Sequence, residues 1–251
     1  MPEQSKNTMR SVRRCFALME LFDREQSPLS ASEISNELAA PLSSTIDLLK
    51  CVSELGYFAY DSRARTYFPT ARLGKLGDWM ETNPLHQLNY TELMEDLHEA
   101  SGETISVFTQ SGSEMVCVAS IPGTHRVSFN LEPGERLPLF NSAVGLSLLA
   151  EWDDSEIEKA YRKTKPGSKL PRLETLRKKI TKIRSNGYAS GYELVIPDVG
   201  AITATKAYGY DQCVVFSVGG LSKRVKAKEP ELSKLLLKTL RQKKRSKKVA
   251  A

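Results

Sequence analysis

Cysteine is scarce. Four thiols, Cys15, Cys51, Cys117 and Cys213, are spread over 251 residues. No two stand two or three residues apart, which excludes zinc-ribbon and thioredoxin-like spacings. Sparse, unpatterned thiols suit a reducing compartment, so the expected localisation is cytoplasmic. Histidine is scarcer still, and His86, His98 and His125 form no i,i+4 pair. That excludes a helical two-histidine metal site, and neither a metal nor a cofactor is expected. No apolar run approaches the ~18 residues of a membrane span. The longest uncharged apolar stretch, Leu137 to Ala150, is broken by Pro138, Asn141 and Gly145. No membrane partner is expected, and the opening MPEQSKNTMRSVRR lacks the apolar core of a secretory signal. Nucleophile-elbow, phosphate-loop, dinucleotide and HExxH motifs are all absent, so an enzyme is not expected.

What is present is unevenly charged. The net charge is +6, yet residues 1–80 carry ten basic and ten acidic side chains. Residues 81–220 carry 14 basic and 18 acidic, and residues 221–251 carry 12 basic against two acidic. The basic character therefore sits in the C-terminal tail, with RQKKRSKK at its centre. Such a run can hold nucleic acid through phosphate charge alone; the alternative is a solvated helix end.

The first ~60 residues read as three helices and a hairpin. Val12, Cys15, Phe16, Met19 and Phe22 repeat at helical spacing and predict one apolar face. Ser30-Ala31-Ser32-Glu33 is a capping box that opens a short second helix. Pro41 suits the first turn of a third helix, in which Thr45, Leu48, Leu49, Val52 and Leu55 face inward and Gly56 ends the run. YFAY and RTYF around Asp61-Ser62 predict a β-hairpin. Three helices, a short turn between the second and third, then a hairpin is the winged helix-turn-helix order. A bundle with a purely structural role is the alternative.

Residues 70–82 predict a connecting helix with Arg72, Leu73 and Leu76 on one face, and Asn83-Pro84 marks a boundary. A helix from about Leu85 to Ala100 follows, with Leu88, Leu93 and Leu97 inward. Strands are expected at TISVFTQ, EMVCVASI, RVSFNL, AITATKAY and CVVFSVGG, the last two split by a Gly209-Tyr210-Asp211 turn. Helices are expected at 141–152, at 172–186 on the surface, and from Glu229-Pro230 onward. Mixed order with hairpin turns predicts an α+β domain with a largely antiparallel sheet.

Several pieces of this chain resemble the isocitrate lyase regulator (IclR) family of bacterial transcription factors. Ser11 to Phe22, with Arg14, is similar to the family's opening helix, and Leu29 to Ile34 to its second. Pro41, Ser43-Ser44, Leu48-Leu49 and Glu54-Leu55-Gly56-Tyr57 track the recognition helix and its exit; Tyr67, Arg72-Leu73 and Gly77 track the wing exit and linker. Ser101-Gly102-Glu103-Thr104 resembles a "TGET" turn. Pro138 to Gly145, ending Leu148-Leu149-Ala150, resembles the family's "PLHxTAxGKALLA" box, and Gly187-Tyr188 and Phe216-Ser217-Val218 also correspond. The likeness runs over roughly residues 10–245. It implies a winged helix-turn-helix domain (1–69), a linker helix (70–84) and a GAF-like effector-binding and oligomerisation domain (85–251). It also implies a homodimer or homotetramer on a palindromic double-stranded DNA operator, and a small organic effector. The function it implies is regulation of a catabolic operon, as a repressor released by a carboxylate or aromatic acid.

On that reading the DNA-facing residues are Arg14, Ser32, Leu42, Ser43, Ser44, Ile46, Asp47, Lys50, Arg63 and Arg65. Ser43 and Ser44 suit phosphates or bases, Lys50 a phosphate, and Ile46 a thymine methyl. Arg63 and Arg65 at the hairpin tip suit backbone or minor groove, or are merely exposed. Asp47 departs from the arginine common near this place in the family. It can accept from a cytosine amino group, or pair with Lys50 or an arginine of its own chain. The effector residues are Phe108, Phe129, Asn141, Ser142, Ala143, Val144, Tyr192, Ala201, Ser217 and Gly219. Gly191, Ala201 and Gly219 stand where the family often has Asp, Cys and Ser, and Thr205-Lys206 replaces a usual Pro-Val. The three missing polar groups imply a ligand larger or less polar than a small keto-acid, lined by Phe108, Phe129 and Tyr192. The alternatives are that these aromatics are plain core, or that the pocket binds nothing. Two rival classes stay open: a binding module without specific operator reading, and a hydrolase using Cys117 with His125.

Overall fold

The computed structural model describes residues 3–82, 90–164, 170–208 and 212–241. The backbone divides into two compact units, residues 1–83 and 84–251. The expected Asn83-Pro84 boundary, the positions of Leu85, His86 and Leu88, the Gly209-Tyr210-Asp211 turn and the basic tail beyond 241 lie outside the described residues.

In the first unit, α1 (Glu3–Glu25) is followed by β1 (Leu29–Ser30), α2 (Ala31–Glu37), α3 (Leu42–Glu54), β2 (Phe58–Asp61), β3 (Thr66–Pro69) and α4 (Ala71–Thr82). The core joins Leu18, Leu21 and Phe22 of α1 to Ile34, Leu49, Val52 and Phe58. Each such side chain contributes roughly 1.5–3 kcal/mol by leaving water. The ring of Phe22 meets Phe58 edge-on at 5.2 Å. The apolar face expected of α1 is therefore corrected: Val12 and Phe16 are 51% and 62% exposed, and the buried stripe centres on Leu18. Both stripes repeat at helical spacing, so periodicity cannot choose between them; the partners Leu49 and Phe58 do. Leu55, expected inward, is 54% exposed, because α3 ends at Glu54 and the chain turns away through Gly56 at φ 78°. Leu76 of α4 is likewise exposed.

The capping box of α2 is formed. Ser30 Oγ accepts from the Glu33 amide at 3.3 Å, and Glu33 Oε2 accepts from the Ser30 amide at 2.7 Å. The two Ser30 donors hold the Glu33 carboxyl below its ordinary range. Between α2 and α3, Ser35 Oγ donates to the Ala40 carbonyl at 2.7 Å, and Ala39 stands in left-handed backbone at φ 45°. The three short strands form an antiparallel sheet ordered β1-β3-β2. Asp61 Oδ1 accepts from the amides of Arg63 and Ala64 (2.8 and 3.2 Å), which shapes the hairpin loop.

The second unit contains α5 (Tyr90–Ser101), β4 (Thr104–Ser111), β5 (Glu114–Ile121), β6 (Arg136–Pro138), α6 (Ala143–Ala150), α7 (Asp154–Lys163) and α8 (Leu173–Asn186). After these come β7 (Ala189–Tyr192), β8 (Val199–Tyr208), β9 (Gln212–Leu221), α9 (Ser222–Ala227) and α10 (Glu229–Arg241). Six strands form one antiparallel sheet ordered β6-β5-β4-β9-β8-β7. Period-two alternation sorts the strands' side chains between two layers. Phe108 and Val215 join the core with α6, α7 and α8; Ile105, Val107, Val214, Phe216 and Val218 join the core with α5, α9 and α10. On β5 the alternation reverses. Met115 and Cys117 face the first layer and Ala119 and Ile121 the second, because a bulge inserts Val118 opposite the Val107–Phe108 step.

The expected strand over 126–131 is not formed. Both edges of β4 are taken by β5 and β9, and β6 pairs with Glu114–Val116 of β5. The segment instead delivers Leu131 and Phe129 to the first core layer, and the Phe129 carbonyl accepts from Thr104 Oγ1. The helix at 173–186 is surface-exposed on one side only, since Leu176 and Ile180 are buried. The short β1, β6, β7 and α9 carry too little periodicity to be read from the sequence. The sequence reading missed α7, although Asp153 and Glu156 form a capping box and Ile157, Ala160 and Tyr161 recur at helical spacing.

Glycine at position 39 removes the steric cost of left-handed backbone that alanine bears there. Ala39→Gly is expected to stabilise the first unit by about 0.5–1 kcal/mol after the added unfolded-state entropy. The midpoint of chemical denaturation followed by circular dichroism measures it.

Candidate functional site

Two regions gather the candidate residues, one in each unit. On α3, Ser43, Asp47, Lys50 and Glu54 recur at intervals of three and four and are all exposed, forming one outward line. Leu42 is exposed at its start and Ile46 is half-buried beside it. Ser44 is drawn inward: its Oγ donates to the Pro41 carbonyl at 2.9 Å and accepts from Arg14 Nη1 at 3.0 Å. Arg14 thus braces the start of α3 from α1. Ser32 is exposed in the first turn of α2, and Arg63 and Arg65 project from the hairpin loop, Arg65 at φ 58°. Among the described residues, none of Asp47, Lys50, Arg63 or Arg65 makes an ion pair.

In the second unit a narrow cleft with a cavity volume of about 60 Å³ opens where α6 begins. Seven of the ten expected effector residues line it: Phe108, Phe129, Ser142, Ala143, Val144, Ala201 and Ser217. Three do not. Asn141 lines a neighbouring surface groove with Leu139, Phe140 and Arg136. Tyr192 packs against the opposite core layer, and its hydroxyl donates to Glu229 Oε2 at 2.6 Å. Burial and that carboxylate push its phenol well above the ordinary range. Gly219 pairs in register with Ala201 but stays outside the lining.

The sequence reading missed the wall made by Leu194, Val195 and Ile196. They belong to the 193–198 segment, whose ends, Glu193 and Asp198, both take left-handed backbone (φ 56° and 60°). Three consecutive apolar residues between Glu193 and Pro197-Asp198 were the available signal. Gly191 is a lining residue for a steric reason. A Cβ there would lie 2.7 Å from Leu194 Cδ1 and 3.0 Å from Ala143 Cβ, so Leu194 fills the space a side chain would need.

Polar groups at the cleft are few. Ser142 caps α6, its Oγ accepting from the Gly145 amide (3.1 Å) and donating to the Pro138 carbonyl (2.7 Å). The Ala143 and Val144 amides, at the first two positions of α6, have no helical acceptor, as at any helix start. Ser217 supplies a hydroxyl from β9. Chemically this is an apolar chamber with one anion-compatible end.

The Cys117–His125 alternative finds no support. Cys117 is buried, its Sγ donates to the Ala119 carbonyl at 3.4 Å, and burial pushes its thiol up to about 11. His125 instead stands 3.4 Å from Glu103, which Arg224 grips at 2.5 and 2.6 Å. Among the described residues no cluster of His, Cys, Asp or Glu could hold a metal ion, and no helix is long and apolar enough to cross a membrane.

The domain model for the C-terminal part of the bacterial transcriptional regulator IclR matches residues 87–245, and the IclR helix-turn-helix domain matches 11–62. The chain belongs to the IclR family. It is 26% identical over 189 residues to the Pca regulon regulatory protein of Pseudomonas putida, covering 72% of this chain and 63% of that protein, less than two thirds of its length. It is 27% identical over 188 residues to the HTH-type transcriptional repressor AllR of Salmonella typhi, covering 73% and 69%. An IclR homolog from Microbacterium hydrocarbonoxydans, solved in complex with 4-hydroxybenzoate, shares the fold at TM-score 0.58 and 18% identity, covering 92% and 99%.

In this IclR-family chain the most specific sequence box, Pro138 to Gly145, has a clear steric content. A Cβ on Gly145 would fall inside the Leu139 carbonyl, so only glycine lets α6 start this close to the preceding strand. Gly145→Ala must therefore move either α6 or the 139–142 turn. A loss of roughly 2–3 kcal/mol of stability is expected, at the upper end for overpacking. Urea denaturation of the second unit's transition measures it, with Gly134→Ala unsuitable as a control because Gly134 has φ 92° and Gly219→Ala suitable because a Cβ there meets nothing closer than 3.9 Å.

Proposed function

We propose that this chain is a ligand-responsive, sequence-specific DNA-binding regulator of catabolic genes. Residues 1–69 form the DNA-binding head, 70–84 the linker, and 85–251 the effector-binding and oligomerising part. The observation that carries the reading is the apolar chamber built onto the start of α6 in a chain that also presents an exposed helix-turn-helix surface. The effector that fits is a small monocarboxylate with an aromatic or branched apolar body. Its carboxylate meets the Ala143 and Val144 amides and the Ser217 hydroxyl, and its body packs on Phe108, Phe129, Leu131 and Leu194. The 4-hydroxybenzoate complex of one family member supports this class.

The action is repression, as the name of the AllR relative suggests, and the effector relieves it. The head, residues 1–69, carries eight basic against nine acidic side chains, so one head alone gathers few phosphates. A homodimer or homotetramer on a palindromic operator supplies the remainder.

Two measurements test the reading. Benzoate, 4-hydroxybenzoate and 3-methylbutanoate are titrated into the purified chain. A ligand at a hundred times its Kd stabilises the folded state by about 2.7 kcal/mol, a clear rise in Tm. Gel shifts on the region upstream of the chain's own gene, against scrambled DNA, test operator preference. Paired Arg63→Ala and Arg65→Ala substitutions are expected to flatten the salt dependence of binding, by about one unit of slope for each phosphate that is no longer neutralised. No preference for the upstream fragment, with or without these acids, would overturn the proposal.

Leu194 sets the size of the accepted body. Leu194→Ala is expected to shift preference from benzoate toward 4-propylbenzoate, with about a tenfold change in relative Kd for the carbons removed from the wall. Isothermal titration with both acids measures it.

A further inference from the structure

We propose that Asp47 reads a cytosine: its carboxylate accepts a hydrogen bond from the exocyclic amino group of one C·G pair in each operator half-site. The inference rests on the reading above, in which α3 enters the major groove.

Asp47 is the sixth residue of α3, within the first two turns, where a recognition helix meets base edges. It is exposed and shares its face with Ser43, Lys50 and Glu54. The sequence left two roles open for it, an internal ion pair or a base contact. The internal pair is not formed. Among the described residues Asp47 has neither hydrogen bond nor ion pair, Lys50 three residues on has no acidic partner, and Arg14 is turned to Ser44 at 3.0 Å. The reading line of α3 therefore presents two carboxylates, Asp47 and Glu54, and one ammonium, Lys50.

An unneutralised carboxylate is repelled by the phosphates lining a groove, so Asp47 weakens contact with DNA in general. That penalty is offset only where the groove offers a donor. In the major groove the donors are the amino groups of cytosine and adenine. Adenine places its N7 acceptor beside the amino group, which repels the second carboxylate oxygen. Cytosine carries no such acceptor on its own edge, and acidic side chains pair with its N4 amino group. Selectivity at this position then arises from repulsion everywhere else as much as from attraction at one base pair.

The two contributions have opposite signs, which gives the experiment a distinctive signature. Binding sites are selected from random duplex DNA with the full chain, then with Asp47→Ala, Asp47→Asn and Lys50→Ala. Kd values are measured on the selected site, on single-base variants and on scrambled DNA. The expected result for Asp47→Ala is a loss of about tenfold in discrimination at one C·G pair, with several-fold tighter binding to scrambled DNA. Asp47→Asn is expected to move the preference at that pair toward adenine, which asparagine pairs with in a bidentate manner. Lys50→Ala is expected to weaken all sites alike. Circular dichroism of each variant establishes that the head is folded; Asp47 is exposed and contacts nothing that folding requires.

If the wild-type chain enriches no sequence, the DNA-reading function itself fails. If it enriches a motif that Asp47→Ala leaves unchanged at every position, the function stands and the assignment of Asp47 is overturned. A uniform change across all sites, without loss at one base pair, also overturns it.

Discussion

The close approach of α6 to the Leu139 carbonyl is the constraint on which the second unit depends. Residues Ala143 to Leu149 are all buried, so this helix has no solvent face and must be enclosed on every side. Its polar groups are satisfied internally. Ser147 Oγ lies 2.7 Å from Thr203 Oγ1, and Thr203 Oγ1 donates to the Ala143 carbonyl at 3.0 Å. Ser142 closes the N-terminal end by bonding both to the Gly145 amide and to the Pro138 carbonyl. Such a fully bonded buried network fixes one register of helix on sheet. The chamber inherits its shape from that register: the amides of Ala143 and Val144 can face a ligand only because Gly145 lets the helix start against the strand. The sensing role proposed for this unit is thus a by-product of how a wholly apolar helix is docked.

The first unit solves a different problem. Its recognition surface is poor in positive charge, and the arginine nearest α3 is turned to a serine rather than to solvent. Grip and reading are thereby separated on the proposed reading. The hairpin arginines and the exposed Arg10 and Arg13 of α1 can meet phosphates, which fix position without sequence information. The α3 line of Ser43, Asp47 and Lys50 is left to meet bases.

Much of this was legible in the sequence where the signal is local. The Ser30–Glu33 capping box, the α3 run ending at Gly56 and the Asp61 turn each follow from side chains within four residues of one another, and all three are formed. The Pro138–Gly145 box likewise marked the chamber. What escaped depends on contacts distant in sequence. Val12 and Phe16 share the helical period of Leu18 and Phe22, and only Leu49 and Phe58 decide which stripe is buried. The 126–131 segment has strand-like alternation, yet it packs Phe129 and Leu131 into the core, and it is β6 that pairs with residues 114–116 of β5. Tyr192 sits next to the lining residue Gly191, and the alternation of β7 sends it to the opposite layer. Leu194 to Ile196 line the chamber from a loop whose shape comes from two left-handed residues, which no apolar pattern announces.

The Glu103–Arg224 pair shows how a family motif can be architecture rather than ligand chemistry. Glu103, in the Ser101–Thr104 turn, is 1% exposed and accepts two hydrogen bonds from Arg224 on α9, 121 residues later. This link ties the start of β4 to the end of β9, where Thr104 pairs with Gly219. A Cβ at the adjoining Gly220 would collide with Glu103 Oε2, so the glycine makes room for the carboxylate. Removing Arg224 would leave the buried Glu103 carboxylate without its guanidinium partner, at a cost of about 3–5 kcal/mol. Gly220 therefore has a steric cause in the ion pair beside it, whereas a Cβ at Gly219 would meet nothing closer than 3.9 Å. Gly219 stands outside the chamber's lining, so its missing side chain does not set the chamber's polarity; the apolar character rests on Leu194, Val195 and Ile196, which line it directly.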